Sequence, residues 1–271
     1  MAIITISREL AALGDEIAQE LSKLLGYTLA NKKSIEEKIK SYGIADQQLQ
    51  KYDERKPSFF ASLSQDRDDY VHYLKTALLN EAASGNVVIV GRGAGEIFRA
   101  VPGVLSVYLG AQLAARIARV KSYFHCDEKR AKQILEQSDQ DRSGFHKFFF
   151  DSDWKDPDNY HLAFNTGALS PRISCMLIKT VVAESISAET EAHGATRIQE
   201  LILGQRIKHH LLYDKMLPLH FLEVVVAQGQ ATLYGVANSA PLADTAFIAA
   251  NEIYGSIRSE IQVVHEYNAI L

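Results

Sequence analysis

The chain of 271 residues is poor in cysteine, with two, and in proline, with six. Cys126 and Cys175 lie far apart. That fits a reducing cytosol and two small core hydrophobes better than a disulfide framework. No apolar run approaches the about 18 residues that a membrane span needs. The first strand begins at Ile3, so no signal peptide is expected and the expected location is the cytoplasm. No basic cluster carries interleaved aromatics, and the formal charge is −4, so neither nucleic acid nor an anionic membrane is an expected partner. No metal-ligand spacing is present. His125–Cys126, His146 and His209–His210 read as structural or exposed. Internal repeats and low-complexity segments are also missing.

What remains is a globular composition, 47% hydrophobic and 23% charged, long enough for one large domain or two ordinary ones. The chain is organised around Ala2–Gly26. Ile3–Ile6 is a β-branched run, Ser7–Gly14 a loop, and Leu13, Ile17, Leu21 and Leu24 space an amphipathic helix. Gly26 follows as its C-terminal stop. Strand, loop, helix is how a phosphate-binding loop begins, because a helix N-terminus offers unpaired N–H groups and a positive dipole end. The loop, however, has one glycine, no lysine and no Ser/Thr where the phosphate motif GxxxxGK[ST] would have them. On the motif alone it reads as an ordinary strand-to-helix connection.

Further along, Tyr27–Ala30 reads as a short strand, and Ser34 with Glu37 as a capping box opening a helix. Asp53–Pro57 is a charged turn, after which Phe59, Phe60 and Leu63 should fold back onto the core. A helix spans about Tyr70–Ala83, with Asp66–Asp69 favouring its start. Asn86–Val90 and Val104–Leu109 are buried parallel strands. Helices cover Gln112–Phe124 and Asp127–Gln137. Ser138–Phe150 is polar, then aromatic. His161–Asn165 is a strand, and Pro171 opens another helix. This order implies an α/β fold, a parallel sheet flanked by helices. The small, polar stretch 185–196 reads as a linker between a domain at 1–184 and another at 197–271. The second has a helix, two strands joined at Gln228–Gly229, a helix and a last strand: a small α+β module, αββαβ.

Two further places can carry chemistry. Gly91-Arg92-Gly93 follows the central strand, and ligands of open α/β sheets bind beyond the carboxyl ends of strands. An arginine between two glycines there is placed to hold a phosphate bidentately. A dinucleotide fingerprint is rejected, because Glu96 occupies its third glycine. Arg116, Arg119, Asp139 and Arg142 form a polar patch. It suits either charge neutralisation in phosphoryl transfer or a solvated helix face. The aromatics between 145 and 164 read as core.

The stretches ITISREL…GDEIAQELSKLLGY, NKKSIEEKI, ERKPSFF, VVIVGRGAGEIF, PGVLSVYL, RIARV and SDQDR…FHKFFF, with W.DP..YHLAFNT after them, resemble the cytidylate-kinase-like family of P-loop proteins over roughly residues 1–184. The resemblance implies a P-loop NTPase-like, nucleoside-monophosphate-kinase fold, with ATP and Mg²⁺ as donor and a nucleotide such as CMP as acceptor. It implies a phosphate loop at Ser7, Arg8, Gly14, Asp15 and Glu16. It implies acceptor binding at Asn31, Gly91, Arg92, Gly93 and Asp139. It places Arg116, Arg119 and Arg142 near the transferred phosphoryl group. The family's loop reads close to YGSGGREI, whereas here Ala11 and Leu13 replace glycines, Asp15 replaces an arginine, and Asn31 stands where the family usually has Asp. The tail at about 197–266, with VVVAQGQATLYGVANS, Ala249–Ala250 and YGSIRSEIQVV, is similar to a BON domain. That similarity implies a binding module for a ligand or partner, not an enzyme.

Three readings follow: a nucleotide or phosphate-ligand sensor coupled to a BON-like module, an active CMP-type kinase, and a non-catalytic interaction protein. The hairpin edge of the tail could also pair with a second copy of the chain.

Overall fold

The computed structural model describes residues 2–42 and 65–264. They form two compact units, Met1–Ala195 and Thr196–Leu271. The first is a five-stranded sheet: β1 (Ile3–Arg8), β2 (Thr28–Ala30), β3 (Val87–Val90), β4 (Val104–Gly110) and β5 (Leu162–Asn165). Its order is β2-β3-β1-β4-β5, and every neighbouring pair is parallel. The helices are α1 (Gly14–Leu25), α2 (Lys32–Ser41), α3 (Gln65–Ala83), α4 (Ala94–Ile97), α5 (Leu113–Phe124), α6 (Glu128–Phe150) and α7 (Pro171–Ser185).

The sheet forms because β1, β3 and β4 are apolar on both faces. Ile4, Ile6, Val88, Val90, Leu105 and Val107 share one core cluster with Ile17 and Leu21 of α1 and Cys175 and Ile178 of α7. Each such side chain contributes about 1.5–3 kcal/mol on burial. Burial pushes the Cys175 thiol up to about 11, in keeping with a core cysteine. Because β1 lies between β3 and β4, the loops after β1 and β3 emerge side by side. Gly91 N, at the start of the β3 loop, donates to Ile6 O of β1 at 2.9 Å.

Four sequence expectations shift. α2 starts at Lys32 rather than at Ser34. Its cap is Asn31, whose Oδ1 accepts from Lys33 N and Ser34 N at 3.0 and 3.2 Å, while Ser34 Oγ accepts from Asn31 N at 3.0 Å. α3 begins at Gln65, five residues before the expected Tyr70, so its acids lie inside the first turns. α6 does not end at Gln137 but runs on to Phe150, because Phe145 and Phe149 bury at helical spacing. The expected linker 185–196 is helical from Ala188, within α8 (Ala188–His209). Ser187 opens it, its Oγ accepting from Thr190 N at 3.1 Å. Its small residues have a packing reason: a Cβ on Gly194 would lie 2.1 Å from the Pro102 carbonyl oxygen. Asp53–Pro57, Phe59, Phe60 and Leu63 lie outside the described residues.

The second unit has a three-stranded mixed sheet, β6 (His220–Ala227), β7 (Gln230–Ala237) and β8 (Ile257–Val263), with α9 (Ala240–Ile253). β6 and β7 are antiparallel, and β7 and β8 parallel. Gln228 and Gly229, with φ of 51° and 75°, make the hairpin turn. Among the described residues no helix is long and apolar enough to cross a membrane.

Candidate functional site

β1 ends in Ser7 and Arg8, and Glu9–Leu13 then lead into α1 at Gly14. Ala11 and Leu13 take φ of 62° and 58°, a left-handed backbone that costs a non-glycine residue about 1–2 kcal/mol. Several contacts repay that strain. Arg116 Nε donates to Leu10 O and Arg119 Nη1 to Ala11 O, both at 2.9 Å. Thr166 Oγ1 donates to Ala12 O at 2.9 Å. Leu10 and Ala11 pack against Ile117, Val120, Ala131 and Leu135 of α5 and α6.

Behind the loop lies a partly buried ionic cluster. Arg116, 4% exposed, forks onto Asp139 with bonds of 3.0 and 2.6 Å. Arg116 also meets Glu9 at 3.1 Å. Lys155 Nζ lies 3.0 Å from Glu9 and 2.9 Å from Asp139. Glu9 further accepts from Ala111 N at 3.0 Å. Burial alone would raise the Asp139 carboxyl, but hydrogen bonds and charge from Arg116 and Lys155 outweigh it and hold it below the usual carboxylate range. Arg119 completes its bonding on Thr166 O at 2.7 Å.

The loop after β3 is built differently. Gly91, Arg92 and Gly93 all have positive φ, of 72°, 56° and 66°. A Cβ on Gly93 would lie 2.2 Å from the Phe150 ring, so glycine is required there by packing as well as by φ. Arg92, 2% exposed, donates to the Glu36 carboxylate of α2 and, at 3.4 Å, to the Tyr70 hydroxyl of α3. Arg142 of α6 donates to the Ser138 hydroxyl.

Two cavities adjoin these loops. The smaller is lined by Ser7, Arg8, Arg92, Arg142, His146 and Trp154 and has about 10 Å³, room for about one water. The larger, about 360 Å³, is lined by Arg8, Asp15, Asn31, Lys32, Lys33 and Glu36, among others. Arg8 lines both, lies 3.7 Å from Asp15, and packs its stem where a Gly14 side chain would project.

The structure thus divides the expected site residues into two groups. Ser7, Arg8, Gly91, Arg92 and Arg142 meet at the small cavity, and Arg8, Asp15 and Asn31 at the cleft. Arg116, Arg119 and Asp139 gather instead behind the loop. Glu16 accepts from Tyr123 Oη at 3.0 Å, and the Asn31 carboxamide oxygen caps α2. Sequence reasoning missed Glu9, Glu36, Lys155 and Thr166. Only Glu9, an acid directly before an apolar loop, carried a signal.

A family model described as the cytidylate kinase-like family matches residues 3–168. No curated protein matches the chain significantly. A crystal structure of an uncharacterized protein from Eubacterium ventriosum is similar at a TM-score of 0.56 and 24% identity, covering 68% of this chain and 98% of that one. A shikimate kinase from Acinetobacter baumannii in complex with shikimate aligns at 0.40 and 14%, covering 69% and 96%. A deoxyadenosine kinase from M. mycoides, with products dCMP and dCDP bound, aligns at 0.35 and 15%, covering 67% and 99%.

Proposed function

The chain belongs to the cytidylate kinase-like family through residues 3–168, and from that premise we propose that it binds a nucleotide or another phosphate-bearing small molecule without transferring phosphate. The ligand occupies the Arg8, Arg92 and Arg142 side and the adjoining cleft. The C-terminal unit, a BON-like binding module, reads out that occupancy to a ligand or partner.

One observation carries this reading. Of the two arginines that the family resemblance places at the transferred phosphoryl group, Arg116 holds Leu10 O and the Asp139 and Glu9 carboxylates, and Arg119 holds Ala11 O and Thr166 O. Arg116 donates from all three nitrogens, and Arg119 from Nη1 and Nη2, to protein groups. A triphosphate with Mg²⁺ fits poorly here for two more reasons. Leu13 and Ala11 put side chains where a phosphate loop needs bare backbone. The Asp15 carboxylate, at about 5 Å from a phosphate, would cost about 1–3 kcal/mol between effective dielectrics of about 80 and about 20.

The second reading is a CMP-type kinase using ATP and Mg²⁺. In its favour, the loop keeps two left-handed turns, and α1 has no side-chain cap at its N-terminus. Thermal unfolding of the full chain against CMP, ATP and ATP–Mg²⁺, paired with an assay for ADP release, separates the two. Stabilisation by CMP without ADP release is the expected result. Turnover at about 1 s⁻¹ or faster, the range of working kinases, would overturn it.

A further inference from the structure

We propose that Glu36 is a built-in anion that occupies the Arg92 guanidinium in the ligand-free protein, and that a phosphate monoester binds by displacing it onto Lys32. This regulation rests on the phosphate-site reading above.

Arg92 is 2% exposed, and a charge that deeply buried persists only with a counter-charge. Glu36 supplies it from the neighbouring helix α2. The planar guanidinium fork accepts a carboxylate or a phosphate equally well by shape, so the two anions compete for one donor set.

Glu36 and Arg92 also belong to adjoining cavities, with Arg8 on the wall of both. It lines the 360 Å³ cleft, whereas the Arg92 it binds lines the cavity of about 10 Å³ beyond. While Glu36 stays, the inner cavity admits about one water and no phosphate. When it leaves, the Arg92 guanidinium is open to another anion. The same Glu36 Oε1 that meets Arg92 already lies 4.0 Å from Lys32 Nζ, one turn earlier on α2, and both side chains reach solvent, at 46% and 24% exposure. On release from Arg92 the carboxylate therefore keeps the exposed Lys32 ammonium as its partner and is not stranded.

Such a device weakens binding by the fraction of molecules in the open state. Removing the Glu36 charge must then strengthen it. The test is calorimetric titration of the full chain with inorganic phosphate and with CMP, for the wild type, Glu36→Gln and Glu36→Asp. Glu36→Gln keeps shape and loses charge, and its Kd should fall about tenfold. Glu36→Asp shortens the reach to Arg92 and should tighten binding less. It decides the matter if the glutamine variant does not fold. Lys32→Met removes that exposed partner and should weaken binding about threefold. The melting temperature gives an independent readout. Ligand-free Glu36→Gln should melt below the wild type, and saturating phosphate should close that gap. A purely structural Glu36 would leave the gap unchanged. Wild-type binding with no tightening in either Glu36 variant would overturn the displacement and leave the phosphate site standing. No binding by any form would overturn both.

Discussion

The loops after β1 and β3 leave adjacent strands and both need left-handed backbone, yet they are built from opposite materials. The β3 loop places glycine at two of its three positive-φ positions, Gly91 and Gly93. The β1 loop uses Ala11 and Leu13 at both of its own. The sheet and its surroundings set the path of each loop, while residue type decides whether anything can approach it. At β3 the glycines let the Phe150 ring pack directly onto the backbone, and a buried arginine projects from it. At β1 the side chains cover the backbone and anchor it to α5 and α6.

That contrast can be broken most violently at Gly93. Gly93→Ala sets a methyl into the Phe150 ring at an unfavourable φ, and should cost about 3–5 kcal/mol in urea unfolding. Next comes the anchor of the β1 loop. Arg116→Met strands Glu9 and Asp139 with Lys155 alone and should cost about 3 kcal/mol. The same variant should flatten the acid limb of the stability profile. Asp139 titrates lower in the folded protein than unfolded, so its contribution is full above about pH 4 and is lost as pH falls below that toward the folded value. A wild-type profile without that acid loss would contradict the cluster. Thr166→Val removes the bond to Ala12 O and should cost about 1 kcal/mol. The smallest effect has an unusual sign. Ala11→Gly relieves left-handed strain, so it should be neutral or stabilise by up to about 1 kcal/mol, where alanine to glycine ordinarily destabilises. A loss of stability at Ala11→Gly would mean that methyl packing outweighs the strain.

Much of the frame was legible in the sequence. Strands apolar on both faces announced the parallel sheet, and Gln228–Gly229 between alternating runs announced the hairpin. Less legible were elements stabilised by close contact rather than periodicity. The start of α8 is small and polar because Gly194 must approach Pro102, and that need leaves no apolar repeat. The cap of α2 went to Asn31 because its carboxamide reaches two N–H groups, outcompeting the Ser34 reading. In the site, residue types showed where cations lie but not what holds them. Arg116 and Arg119 bind backbone carbonyls, and a carbonyl has no letter in a sequence. Glu36 looked like an ordinary helix residue, since its partner lies 56 residues away.

The cluster behind the β1 loop also bears on how a charged molecule finds this protein. Arg116 and Lys155 face Glu9 and Asp139, two charges of each sign within a few ångströms. Their field cancels at long range, so these cations cannot draw an anion out of solution. Beside that cluster, among the described residues, Arg8 meets Asp15, and Arg92 and Lys32 both meet Glu36. Charges of this kind act across about a Debye length, about 8 Å at physiological salt. Under the proposed function an anion is captured on the β3 side, and that capture should slow as salt is raised.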